Sequence, residues 1–184
     1  MKDFSLFEIA SLIIHEETHA TLFIKNQVRF NEEMATFFGA EGALRFIRAK
    51  FGDSSEQFIN AEKQSRDYRT YIGLIDSLYL RLKTVYEEKI SIQDKLHKKQ
   101  ETIDWFKEFV TVKYDSLFQT RNYQGLKKVA INNAFISADI TYAFDLKDFY
   151  ALYQKDNKNF KTMLSSLKVL NNSKVDPHEV MRKL

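Results

Sequence analysis

The amino-acid sequence predicts an all-α fold, and three observations carry that expectation. Breakers are scarce, with Gly 5 and Pro 1 in 184 residues. Apolar and aromatic positions recur at helical spacing along most of the chain. No segment shows the apolar-polar alternation of a half-buried strand.

The elements follow in order. Phe4 to about Ile24 reads as a first helix, with Phe4, Phe7, Leu12, Ile14 and Leu22 as its apolar stripe. After a connection around Lys25 to Arg29, Asn31 is a plausible N-cap. Glu32 and Glu33 then suit the positive end of a second helix, expected to run to Phe51 and stop at Gly52. Asp53 or Ser54 is expected to cap a long stretch that carries Phe58, Tyr68, Tyr71, Ile75, Leu78, Leu82 and Tyr86. A break at Ile90-Ser91-Ile92 separates it from a second stretch, about Asp94 to Phe118, with Leu96, Ile103, Phe106 and Val110. So short a connection implies that residues 54–118 form an antiparallel helical hairpin. Thr120 to Leu126, with Asn122 and Gly125, reads as a loop. Three shorter helices are expected at Asn133 to Ala143, Leu146 to Gln154 and Asn159 to Leu170. Residues 1–170 are expected to make one helical domain, and residues 171–184, polar and containing Pro177, a flexible tail.

Composition narrows the function classes. Hydrophobic residues at 44%, with 16 Phe and 9 Tyr, are enough for a packed core. The net charge of +3 is too small an excess to argue for nucleic acid or an anionic membrane as partner. No run approaches the ~18 apolar residues of a membrane span, and no signal peptide is visible at Met1 to Leu12. With Cys 0, disulfides and thiolate metal sites are excluded.

His15-Glu16-Glu17-Thr18-His19 is an H-E-x-x-H motif on the first helix. Residues four apart share a helix face, so both imidazoles can reach one ion, and Glu16 beside them can act as general base on an attacking water. Catalytic zinc takes three protein ligands and keeps an open position. Glu32 is available as the third ligand. Residues 20–31 give the chain room to turn, so that the second helix crosses the first.

Around this motif the chain is similar to the putative bacterial aminopeptidase family, a gluzincin-like group of predicted metallopeptidases. Phe30-Asn31-Glu32-Glu33-Met34-Ala35-Thr36 matches its F-N-E-x-x-A-T segment, and Glu41-Gly42-Ala43-Leu44-Arg45 its E-G-x-x-R. Asn132-Asn133-Ala134 followed by Thr141-Tyr142 resembles a second block. The resemblance implies one zinc ion per chain held by His15, His19 and Glu32, with Glu16 as general base. It implies Tyr142 as a donor to the oxyanion, against the alternative of a core tyrosine. Asn31 and Thr36 stand where supporting residues are expected, although some gluzincins place an acidic residue at Thr36. Residues 1–14 leave no room for the β-sheet that usually precedes such a helix. The chain is therefore expected to be either the C-terminal part of a longer protein or a short relative. The family also implies a peptide substrate and, for a full-length form, the bacterial cell envelope.

Plainer roles are expected elsewhere. His97 and His178 read as surface residues, Glu17 and Glu33 as solvated, and Asn132 and Asn133 as a helix cap. Lys95, Lys98 and Lys99, flanked by Glu87, Glu88 and Glu101, read as a solvated face. Two functions stand side by side: a zinc peptidase, and a non-catalytic helical interaction module with a structural or vestigial metal site. A plain bundle with a fortuitous motif is the third possibility.

Overall fold

The computed structural model describes residues 4–141, 146–172 and 175–184, and among them all regular structure is helical. The chain divides into two compact units, residues 1–61 with 145–184 and residues 62–144.

The first unit is built on α1 (Leu6–Thr21) and α2 (Val28–Phe51). A capping box starts α1: the Ser5 hydroxyl accepts from Glu8 N, and the Glu8 carboxylate accepts from Ser5 N. Between the helices Asn26 adopts a φ of 63°, a left-handed conformation that asparagine tolerates. Helix α2 begins at Val28, a turn earlier than the Asn31 cap expected from sequence, and its N-cap residue Gln27 makes no side-chain cap bond. Asn31 is instead buried inside α2. Its amide receives a bond from Ile24 N and donates one to Ile24 O, both 2.8 Å, which pins the connection against the helix. Gly52 ends α2 at a φ of 90°, which favours glycine.

Two glycines let α1 and α2 meet closely. A Cβ on Gly39 would lie 2.8 Å from the Ser11 carbonyl oxygen, and one on Gly42 would lie 3.0 Å from the Ile14 side chain. On another face of α2, Phe30, Met34, Phe37 and Phe38 form the core with Phe149, Leu152 and Tyr153 of α6 (Lys147–Lys155) and Met163 and Leu167 of α7 (Phe160–Leu167). In place of the expected tail, Pro177–Met181 form a helix, α8, begun by the Asp176 cap and by proline in its first turn. Pro177 and Met181 are buried, and Met181 joins the same core. Polarity misleads here because two apolar side chains suffice to dock a single short helix.

In the second unit, most of α3 (Glu56–Glu87) and α4 (Ile92–Leu117) pair as the expected hairpin through residues 88–91. Ile75, Leu78 and Leu82 pack against Ile103, Phe106 and Val110. The caps differ in detail. Ser55, rather than Asp53 or Ser54, accepts from Phe58 N at the start of α3, because Asp53 is paired with Arg48. Ser91 caps α4. Asp67 is fully buried and accepts bonds from Gln119 N, Thr120 N and the Thr120 hydroxyl, which fixes the chain after α4. The expected loop contains a 3-10 turn, Gln124–Lys127. Asn132 caps α5 (Asn133–Thr141) by accepting from Phe135 N, and Asn133 accepts from the Tyr86 hydroxyl. No helix among the described residues is long and apolar enough to cross a membrane.

Candidate metal centre

Helical spacing stacks His15 and His19 on one face of α1, with their Nε2 atoms 3.2 Å apart and the rings edge to face. Glu32, in the second turn of α2, reaches between them. One carboxylate oxygen lies 3.4 Å from His15 Nε2 and the other 3.4 Å from His19 Nε2. All three residues offer ligand atoms within 4.8 Å of one another, the grouping of this kind found among the described residues.

The distances can be tested against a real ion. A tetrahedral zinc with bonds of about 2.0–2.1 Å sets neighbouring ligand atoms about 3.3 Å apart. The three separations here, 3.2, 3.4 and 3.4 Å, match the edges of that tetrahedron. Two neutral imidazole nitrogens and one carboxylate are also the donor types that zinc takes. Burial, helped by the neighbouring His19, holds the His15 imidazole below the ordinary histidine range, which favours the neutral ligand form over the pull of Glu32 and Glu16. The three side chains remain 18–25% exposed to solvent.

The surroundings of the trio are less complete. The Nδ1 atom of His19 is buried and has no hydrogen-bond partner among the described residues, although metal-bound histidines usually donate from their second nitrogen. Thr36, half-buried and one turn beyond Glu32, is thus not bonded to it. Asn31 is committed to Ile24 and supports the site through the backbone connection. Glu16 is exposed, close enough to His15 for its charge to act on that ring. Tyr142 lies outside the described residues.

Three expectations around the site need correction. Leu12, expected in the apolar stripe of α1, is 59% exposed and its neighbour Ile13 is 56% exposed, because only one side of α1 faces α2. Glu33 is not solvated but 2% exposed, with Oε1 2.9 Å from Arg29 Nε and Oε2 2.6 Å from His178 Nε2. His178 is half-buried rather than a free surface residue, and its other nitrogen lies 3.2 Å from Asp148. Glu33 and His178 are 145 residues apart in sequence, a separation no local pattern reveals. Glu41 accepts from the Tyr150 hydroxyl. His97 is exposed, as expected.

No curated protein and no solved structure matches the chain. One family model does, that described as "Putative aminopeptidase", over residues 1–181. With the match running through the two helices that carry the trio and on to α8, the chain belongs to this putative aminopeptidase family.

Proposed function

We propose that the protein is a zinc-dependent peptidase acting on peptide bonds. The observation that carries this is the convergence of His15, His19 and Glu32 at the edge lengths of a zinc tetrahedron, on side chains that stay 18–25% exposed. His15 and His19 would each hold the ion through Nε2, and Glu32 through its carboxylate. A bound zinc supplies a Lewis acid that polarises a carbonyl and acidifies water near neutral pH. Glu16, exposed one residue from His15, would take the proton of the attacking water and return it to the leaving amine nitrogen. Tyr142 is proposed as the donor to the oxyanion of the tetrahedral intermediate, a role that rests on the family resemblance.

Action at the amino end of a peptide is supported by the family's description alone. An exopeptidase needs a group to hold the free α-amine. The carboxylates of Glu33 and Glu41 are already engaged by Arg29, His178 and Tyr150. Hydrolysis of a broad peptide library by the zinc-loaded protein, assayed beside Glu16→Gln, tests the proposal. Cleavage that Glu16→Gln loses while still binding zinc supports it. Zinc binding without cleavage of any peptide would favour the non-catalytic helical module. The bacterial cell envelope is the proposed location, again on the family resemblance.

A further inference from the structure

The trio leaves one question of design open. Glu32 lies near the start of a helix whose N-cap residue makes no side-chain cap bond. Such a first turn frays unless something else holds it. The neighbours of Glu32 on either side, Asn31 and Glu33, are polar and buried to 1% and 2% exposure. They point in different directions. Asn31 ties the turn to the connection after α1. Glu33 turns away toward α6 and α8, where His178 lies 2.6 Å from its Oε2.

His178 is itself fixed from three sides. Its Nδ1 is 3.2 Å from Asp148 of α6, and Arg182, the residue after α8, holds the same Asp148 oxygen at 3.0 Å. Phe30, two residues before Glu32, packs edge-on against its ring at 5.2 Å, and Phe149 packs at 6.1 Å. Arg29 meets the other oxygen of Glu33. The Glu33 carboxylate is thus bonded through both oxygens, to half-buried His178 on one side and to the exposed Arg29 on the other. A buried carboxylate left without hydrogen-bond partners is costly, so its bonds favour one placement of the side chain. An apolar residue at 33 could slide within the core, whereas this carboxylate cannot move without losing its bonds.

We infer that His178 is a positioning residue for the metal centre: through Glu33 it locks the first turns of α2 and so aims Glu32 at the two histidines. The inference rests on the metal reading above. It also gives the chain's last helix a part in a site formed by its first two.

Zinc affinity, measured by competition with a chromophoric chelator, tests this on three proteins. His178→Phe keeps the ring packing against Phe30 and Phe149 and removes both nitrogens. Met181→Ala, on the same helix and buried in the same core, disturbs packing but no bond of the network. Both substitutions should lower the unfolding temperature. Only His178→Phe should weaken zinc binding, by roughly 10–100-fold, the range for residues that support metal ligands. Amide hydrogen exchange in residues 31–35 of the metal-free protein should quicken in His178→Phe alone. Equal zinc affinity in His178→Phe and the unaltered protein overturns the inference and leaves the metal site standing. So does a loss of affinity in both variants that simply follows their loss of stability. Absence of zinc binding by the unaltered protein overturns the metal reading itself, and the positioning role with it.

Discussion

At the scale of single residues, the trio gathers two nitrogen lone pairs and a carboxylate around one point. A cation shared by all three satisfies them together, and the separations suit an ion of zinc's bond lengths. His15 and Glu16 should therefore separate on mutation. His15→Ala should weaken zinc by more than the roughly 10–100-fold lost with a supporting residue, read by chelator competition. Glu16→Gln should bind zinc as well as the unaltered protein does, and lower turnover of any cleaved peptide by about 10²–10⁴-fold, the range for a general base. Equal zinc loss in both would place Glu16 among the ligands instead.

At the scale of elements, His15, His19 and Glu32 converge because α1 and α2 approach closely. Gly39 faces the backbone of Ser11, and a methyl there would sit 2.8 Å from a carbonyl oxygen that cannot swing aside. Gly39→Ala should cost about 1–3 kcal/mol in chemical denaturation, as overpacking does. It should also weaken zinc by spreading the helices. Gly73 is the counter-case: it lies within α3, and a Cβ there meets nothing within 4 Å. Gly73→Ala should stabilise by about 0.5–1 kcal/mol, because alanine loses less backbone freedom on folding. The same denaturation curves check both signs.

These elements were legible to different degrees. The convergence of His15, His19 and Glu32 could be read from spacing, because four residues on a helix is a fixed geometry and a connection of residues 20–31 is long enough for a turn. Helix α2 starts three residues before Asn31 because that side chain finds both its partners on Ile24, a tertiary choice that capping preference does not contain. The exposed Leu12 and Ile13 show the limit of hydrophobic pattern: it marks a helix as apolar without saying which faces are covered.

At the scale of the whole molecule, each unit uses a buried carboxylate to join distant stretches of chain. In residues 62–144, Asp67 accepts three bonds from Gln119 and Thr120. Asp67→Ala would strand two backbone N–H groups, at about 1–3 kcal/mol each where buried, and should lower the unfolding temperature accordingly. In the other unit, Glu33 and His178 link α2 to α8. Neither pairing has a local signature, and polar character made both Glu33 and His178 read as solvent-facing. Long-range polar contacts of this kind are set by how helices pack, which a single sequence read by local pattern does not contain.

The central claim is that this chain builds a three-ligand zinc centre from two helices. Elemental analysis of the purified protein beside Glu32→Ala, after identical zinc loading and dialysis, tests it most directly. About one zinc per chain, lost or strongly reduced in Glu32→Ala, is the predicted result. No retained zinc in the unaltered protein, or equal zinc in both, would contradict it.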